Sequence, residues 1–373
     1  MREFLSYKSG KFYFCDEFNS SELDSLLQRA SILNETICDL PILPELASKI
    51  EPAIIYSSIS GTAAIEGNPI TEEDVKRIAE GEDIDSYTLK DKQEIRNLIS
   101  AYDLLSRIRP SSAPFHLTED LICKLHELVT HEIPHEHNKP GKYRDGFVHV
   151  GDKAHGGIYT PPKVIEDVRN LMKEFIEWIN CDDVLGLNPF MRAALAHYYF
   201  CIIHPFWDGN GRAARLIETV ILETSNVKYV PRELSNYYYK HVDEYYIAFS
   251  ESIKLKKDPT PFLLFSLKGA VTSLVEIKDS IINFIRIFTL KDFYTILRKE
   301  KKLTRRQYEL LSILVDNPTI FTLKDLNTES PFSVLYRKVS TQTARRDLKK
   351  LSEAGYIKLS EEGEYSLNMR VLG

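Results

Sequence analysis

One stretch of twelve residues, 204–215, constrains this chain more than any other. It reads His-Pro-Phe-Trp-Asp-Gly-Asn-Gly-Arg-Ala-Ala-Arg. The turn Gly209-Asn210-Gly211 can adopt left-handed backbone conformations, which allows successive N–H groups to point at one spot. A helix that begins near Arg212 would place its positive end at the same spot, and such an end favours phosphate. The stretch therefore predicts a phosphate-binding turn followed by a helix.

The side chains of this stretch add chemistry to the turn. His204 can act as a neutral proton acceptor near pH 7, and Asp208 supplies the hard oxygen that Mg²⁺ prefers beside phosphate. Arg212 and Arg215 lie three residues apart, flank the apolar face of the predicted helix and remain free to bind anions. That face comprises Ala213, Leu216, Ile217, Val220 and Ile221. Together these residues predict a nucleotide phosphate site with a base beside it.

The stretch matches the Fic motif, HPFx(D/E)GNGRxxR, at every specified position. A match in this order makes a simple helix–turn joint with surface arginines very improbable. The chain therefore resembles Fic proteins over about residues 45–265. The resemblance implies a mainly α fold, a helical bundle with a β-hairpin flap, that transfers AMP from ATP to a protein hydroxyl.

The same resemblance assigns roles to the residues of the motif. His204 would take the hydroxyl proton, Asp208 would hold Mg²⁺ on the phosphates, and Arg212 would neutralise the leaving pyrophosphate. The backbone of Gly209 and Gly211, together with Asn210, would cradle the ATP phosphates.

A second informative place precedes the motif. A helical pattern over residues 46–65 leads to Thr62 and Glu66, four residues apart on one face, before the helix-ending Gly67-Asn68-Pro69. A glutamate at a helix end is ordinary. Beside a Fic motif, however, this stretch resembles the inhibitory motif (S/T)xxxE(G/N) of the second Fic class. That resemblance implies that Glu66 reaches the site, pairs with Arg215 and inhibits the enzyme.

A short hairpin pattern lies between these two places. Gly141-Lys-Tyr-Arg144 and the residues up to 162 predict two strands around a glycine-rich turn, either an ordinary surface hairpin or, by resemblance, the Fic flap. As a flap, residues 147–162 would bind the target protein by strand addition.

The nearby His131-Glu-Ile-Pro-His135 has the sequence of a zinc-protease motif. Its Pro134 disfavours the helix that zinc ligation needs, and we expect no metal there.

Two further histidines belong to predicted helices. Asn188 and Pro189 predict the start of a helix over 190–203 that is apolar nearly all round and therefore central. His197 on this helix is expected to be a packed core residue. In Fic proteins an asparagine near the base of the nucleotide precedes a tyrosine pair. Here His241 occupies its place, and we predict a nucleotide contact for it.

The composition of the chain limits its class. Five scattered cysteines without metal spacing indicate reduced thiols, and no apolar run approaches the length of a membrane span. We therefore expect a cytoplasmic protein with no membrane partner. The net charge is −6, yet residues 301–373 hold 13 Lys and Arg against 9 Asp and Glu, a local charge of +4.

The basic tail has the pattern of a winged helix. Helices over 305–316, 322–326 and 340–354, followed by a hairpin over 356–367, give the winged helix-turn-helix order. The last of these helices resembles recognition helices of bacterial repressors. Its polar residues can reach DNA, although a protein-interaction role is equally open. Those residues are Ser340, Thr341, Gln342, Arg345, Arg346 and Lys349.

These patterns predict four regions: an N-terminal helical region (1–88) with the inhibitory helix, a Fic domain (89–265), a helical connector (266–300) and a winged helix (301–373). Homodimer formation is a further expectation.

Three rival functions remain open. The chain could transfer another group, such as phosphocholine or a phosphoryl group, or it could remove AMP from a target with a water positioned by Glu66. It could also be a DNA-binding regulator that uses the site to sense a nucleotide.

Overall fold

A computed structural model of the chain describes residues 1–42, 44–111, 113–255 and 258–372, without the side chains of residues 44–51 and 232. The chain forms two compact units, Met1–Lys278 and Asp279–Gly373. The predicted regions 1–88 and 89–265 both lie in the first unit, and 301–373 lies in the second. The predicted connector lies largely within one helix that runs through the boundary.

The first unit is helical apart from an N-terminal hairpin. Strands β1 (Arg2–Leu5) and β2 (Lys11–Phe14) pair antiparallel, with Arg2 opposite Phe14. The helices that follow are α1 (Ser21–Asp39), α2 (Pro44–Ile65), α3 (Glu72–Ala79), α4 (Leu89–Leu105), α5 (Glu119–Val129), α6 (Ile165–Ile179), α7 (Asp182–Leu185), α8 (Pro189–Ile203), α9 (Asn210–Thr224), α10 (Val230–Lys240), α11 (Val242–Leu255) and α12 (Thr260–Lys299).

Two buried helices, α8 and α9, lie at the centre of this unit. The Asn188 side chain accepts the first N–H of α8 and Pro189 opens the helix, as predicted. α8 ends where His204 adopts a left-handed conformation, at φ 50°. Gly209, at φ 76°, precedes α9, which therefore begins two residues earlier than the sequence indicated. The apolar face predicted for α9 is buried throughout.

The end of α2, the flap and the N-terminal hairpin can also be compared with the sequence predictions. α2 ends at Ile65, and Gly67 is left-handed at φ 86°, as the Gly67-Asn68-Pro69 turn predicts. In the flap, by contrast, the expected strands reduce to one antiparallel bridge between Val150 and Tyr159. The β1–β2 hairpin was not predicted. It is held to the core by Phe14, which stacks on Trp178.

The second unit contains α13 (Arg305–Asp316), α14 (Asp325–Thr328), α15 (Phe332–Tyr336), α16 (Thr341–Glu353) and the strands β3 (Ile357–Leu359) and β4 (Tyr365–Leu367). The predicted helix order and hairpin are confirmed, and α15 is an additional short helix. Ser340 caps α16 by accepting the Thr343 N–H. A bridge from Phe321 to Tyr365 extends the β3–β4 sheet.

α12, with its 40 residues, is long and apolar enough to cross a membrane by length and composition alone. Of its most apolar window, however, 56% is buried within the protein, and the core helix of a soluble protein passes the same test.

Candidate nucleotide-phosphate site

A cavity of about 500 Å³ opens where the end of α2, the flap, the end of α8, the start of α9 and one face of α11 meet. Its volume lies within the usual range of small-ligand sites. Four residues predicted from sequence line it: Glu66, His204, Gly211 and Arg215. The structure thus brings the inhibitory motif and the Fic motif together at one cavity.

His204 is held as a neutral base. Its Nδ1 lies 3.2 Å from the Cys201 carbonyl oxygen, which can only accept, so Nδ1 carries the proton and Nε2 keeps its lone pair. Burial lowers the pKa of His204 to about 4, and the Arg144 charge acts in the same direction. The imidazole is therefore unprotonated at neutral pH.

The turn between α8 and α9 is fixed from two sides. The Asn210 carboxamide accepts the Phe206 N–H and donates to the Phe206 carbonyl, at 3.0 and 2.9 Å. The side chain of Asn210 thus fixes the loop that is predicted to cradle the phosphates. From the other side, the His126 ring stacks on Phe206 with a centroid distance of 3.6 Å.

His126, on α5, was not singled out from the sequence. The Gly141 N–H donates to its Nδ1, so Nε2 carries the proton and donates to the Asp208 carbonyl at 2.9 Å. Burial lowers the pKa of His126 to about 4, which keeps this tautomer at neutral pH. A single buried histidine in an amphipathic helix gives no sequence signal for such a contact.

Asp208 and Arg212 form a pair beside the cavity. Arg212 Nη2 lies 3.0 Å from Asp208 Oδ2, and Nη1 lies 3.7 Å from Glu94 Oε1. Burial opposes ionisation of Asp208, but the Arg212 charge, together with the Gly209 N–H and the hydrogen bond from Arg212, outweighs it and lowers the pKa of the carboxyl. Arg212 Nε is buried without a hydrogen-bond partner among the described residues. The guanidinium thus keeps one donor for a ligand.

Arg215 is fully engaged by the inhibitory motif. Its Nη2 lies 2.7 Å from Glu66 Oε1 and 3.2 Å from the Thr62 carbonyl, and its Nε lies 3.3 Å from Thr62 Oγ1. Burial alone would lower the pKa of Arg215, but the charge and hydrogen bond of Glu66, together with Tyr245 and Tyr246, outweigh it and raise the pKa. Neither motif arginine is the free surface cation expected from its spacing, because both are buried and paired.

Gly211 makes room for the Glu66 carboxylate. A Cβ at position 211 would lie 2.7 Å from Glu66 Oε1 and 3.1 Å from Arg215 Nη1. A side chain at position 211 would therefore force the Glu66 carboxylate to move from its place in the site.

The outer wall of the cavity is aromatic. Tyr245, Tyr246 and Phe249 of α11 line it, together with Ser250 and Lys254. His241 is not among the lining residues, as far as the structure describes the chain, and its ring packs on Tyr237 with centroids 4.4 Å apart. The nucleotide contact predicted for His241 thus draws no support from this geometry and stays a prediction.

His197 is packed in the core, as predicted. His197 is fully buried, with Glu218 Oε2 2.8 Å from Nδ1 and the Tyr245 hydroxyl 2.9 Å from Nε2. His131 follows the end of α5 in a turn, and His135 lies in the irregular segment after that turn. Among the described residues, no group of three or more His, Cys, Asp or Glu is placed to hold a metal.

Fold and site together define a helical nucleotide-phosphate-binding unit with a carboxylate inserted from a preceding helix, joined to a winged helix. Residues 116–222 match the Fic/DOC family. Residues 334–360 match a DeoR-like helix-turn-helix domain.

Relatives and solved structures carry the same fold. The chain is 31% identical over 165 residues to protein adenylyltransferase fic-1 of Caenorhabditis elegans, a match that covers 44% of this chain. It is 33% identical over 171 residues, 45% of the chain, to protein adenylyltransferase Fic of Nematostella vectensis. These matches span only 31% and 37% of the relatives' own lengths.

The structural matches extend further along the chain. A Fic family protein from Desulfovibrio desulfuricans G20 superposes with a TM-score of 0.59 at 20% identity, covering 95% of this chain and 98% of that one. A fragment of Fic-1 from C. elegans gives a TM-score of 0.57 at 23% identity and covers 71% of this chain and 73% of its own.

Proposed function

We propose that this chain is a protein adenylyltransferase that moves AMP from ATP to a Ser, Thr or Tyr hydroxyl of a target protein. The observation that carries this proposal is the neutral His204 imidazole, whose Nε2 is free to accept a proton in a cavity shared with the start of α9. Such a base acts on a hydroxyl within hydrogen-bond reach.

The reaction balances with the groups present. The hydroxyl oxygen of the target attacks the α phosphorus of ATP, and His204 Nε2 takes the hydroxyl proton. A bond forms between that oxygen and the phosphorus, and the bond to the bridging oxygen breaks. Pyrophosphate leaves with the electron pair. Because the chain forms no covalent bond itself, catalysis depends on positioning and on charge stabilisation.

Hydrogen-bond donors for the phosphates of ATP are available at two places. The first N–H groups of α9 and the Gly209 turn offer a positive helix end. Arg212 Nε supplies the unpaired buried donor, and leaving such a donor unpaired costs about 1–3 kcal/mol. A phosphate oxygen would satisfy it, in agreement with the role of Arg212 toward the leaving pyrophosphate.

Mg²⁺ fits the carboxylate beside these donors. Asp208 stays ionised despite its partial burial and offers hard oxygens next to the phosphate region. When bound there, Mg²⁺ would neutralise negative charge on the phosphates of ATP, with Asp208 as its ligand from the protein.

We further propose that Glu66 restrains the enzyme. Its carboxylate pairs with Arg215, which would otherwise hold the γ phosphate. ATP then binds with its phosphates away from the in-line geometry that transfer needs. The flap, residues 147–162, would present the target segment beside His204. One of its residues, Tyr159, lines the same cavity.

A labelling experiment tests the reaction class. The protein is incubated with Mg²⁺ and ATP labelled at either the α or the γ phosphate. Label from the α position should appear on protein, including on the chain itself. Transfer of the γ label would instead make the chain a phosphotransferase and overturn the proposal.

DNA binding by the second unit is a second candidate function, favoured by the face of α16. Thr341, Gln342, Arg345, Arg346 and Lys349 are all exposed on this helix. Asp347, by contrast, is buried and pairs with Arg306 of α13 at 2.7 Å, which docks the helix on the unit. The match to a DeoR-like helix-turn-helix domain supports the same proposal.

A further inference from the structure

One buried guanidinium joins the flap to the residue that carries the base. Arg144 precedes the flap, and 1% of its surface is exposed. Its Nη1 donates to the Gly146 carbonyl and its Nη2 to the Pro162 carbonyl, both at 2.7 Å. Arg144 thus ties together the two stems from which the flap rises.

The same side chain also holds the end of α8. Its Nε donates to the His204 carbonyl at 2.6 Å, and Nη2 lies 3.4 Å from the Ile203 carbonyl. The backbone N–H of Arg144 donates to Pro205 at 2.9 Å. The last carbonyls of a helix lack partners within it, and here one residue satisfies three consecutive carbonyls.

The partners of Arg144 explain why arginine is needed. Among the described residues, no carboxylate lies within ion-pair distance of its guanidinium, so the charge is buried against carbonyl dipoles alone. A cation is favoured at a helix C-terminus, where those dipoles converge. The planar guanidinium reaches carbonyls on several sides at once, whereas a lysine ammonium concentrates its donors at one point.

We propose that Arg144 is a positioning residue that fixes the flap, and hence the hydroxyl of the target protein, relative to His204. This inference rests on the proposed adenylyl transfer. Arg144 acts on the hydroxyl-bearing substrate rather than on ATP, because its bonds are to the flap stems and to the backbone around His204. The phosphate donors, by contrast, come from α9 and the turn before it.

Two reaction products distinguish an effect on the hydroxyl-bearing substrate from an effect on ATP. An adenylyltransferase can pass AMP to a protein hydroxyl, or to water, in which case the water oxygen bonds to the α phosphorus, pyrophosphate leaves and His204 takes the proton. Water does not have to be positioned by the flap. If the flap is no longer fixed relative to His204, labelled protein should therefore decrease while free AMP continues to form.

The experiment compares Arg144→Lys with the parent in the Glu66→Gly background, using α-labelled ATP and the chain itself as hydroxyl donor. Labelled protein should fall by roughly 10- to 100-fold, the cost of a small misplacement of reacting groups. Free AMP and the KM for ATP should stay within about threefold. Tyr159→Phe loses only the hydroxyl that donates to the Ile202 carbonyl. It should lower the ratio of labelled protein to free AMP by roughly two- to tenfold.

Arg192 provides a matched control, because it is also buried. Within the part of the chain that the structure describes, its guanidinium bonds only to oxygens of Phe115, Ile179 and Asn180, none of which lines the cavity. Arg192→Lys should lose stability as Arg144→Lys does, yet leave the ratio of labelled protein to free AMP unchanged. A parallel fall of both products in Arg144→Lys, or the same shift in Arg192→Lys, overturns the inference. A parent that forms neither product overturns the proposed transfer itself.

Discussion

Arg215 Nη2 donates to Glu66 Oε1 across 2.7 Å and so joins the motif helix α9 to the end of α2. The arginine is buried, whereas 30% of the glutamate side chain is exposed. A charge-assisted hydrogen bond of this kind contributes about 1.5–3 kcal/mol. In the proposed inhibition this pair competes with the γ phosphate of ATP, and a modest change suffices to release it.

Glu66→Gly should raise automodification by roughly ten- to a hundredfold, the equivalent of that free energy, while the Kd for ATP changes less. Loss of an active-site carboxylate ordinarily lowers activity, which makes the sign informative. Initial rates with α-labelled ATP and Mg²⁺ provide the measurement. Glu80→Gly, at the end of the neighbouring α3, is the control and should match the parent. Equal or lower labelling in Glu66→Gly would contradict the inhibitory role.

His204→Ala should abolish labelling in the Glu66→Gly background and leave ATP binding largely intact, because a base contributes only in the transition state. Calorimetric titration with ATP separates binding from chemistry. His131→Ala, an exposed histidine of the zinc-like pentapeptide, should change neither quantity. If His204→Ala retained transfer, another group would have to be the base.

The parts of the site that could be predicted are those whose chemistry lies within one short stretch of sequence. His204, the glycine turn and the start of α9 are neighbours in the chain, so spacing alone places them together. Glu66 is distant in sequence, and only its resemblance to the inhibitory motif connected it to Arg215.

The parts that could not be predicted depend on tertiary contacts. His126 and Arg144 act on backbone carbonyls, which carry no sequence signature, across separations of 82 and 60 residues. For His241, the alignment with an asparagine of the family suggested a nucleotide contact. That contact stays a prediction, and the ring packs on Tyr237. The two strands predicted for the flap are reduced to one bridge, between Val150 and Tyr159.

Replacing Arg345 and Arg346 by alanine should weaken DNA binding and flatten its salt dependence, because each lost phosphate contact lowers the slope of log K against log salt by about 0.9. Binding of the intact chain to its own promoter fragment at several salt concentrations measures this. The double variant Arg29→Ala and Lys173→Ala removes two exposed cations of the first unit and should leave the slope unchanged. Binding that is absent, or insensitive to salt, in the intact chain would argue against a repressor.

The tip of the flap should respond to pH through His155. Its Nδ1 lies 2.9 Å from Asp152 of the flap and its Nε2 lies 3.1 Å from Asp243 of α11, while its ring packs on Tyr246. Lys254, also on α11, lies near Gly156 at the tip. The hydrogen bond to Asp152, and next the one to Asp243, raise the pKa of His155 above its usual 6.5. Only the imidazolium can donate to both carboxylates, since neutral imidazole has a single N–H.

The sign of the effect follows from the raised pKa. The contact between flap tip and α11 should be complete below pH 6.5 and should be lost as the pH rises through the raised pKa of His155. An NMR titration of the His155 ring, with the amide signals of Gly156 and Gly157 following the same midpoint, measures it. Asp243→Asn removes one of the two charges and should bring the midpoint down toward 6.5. If His155 titrates below its usual value in the parent, or if the glycine signals do not follow it, the flap tip is not held by this contact.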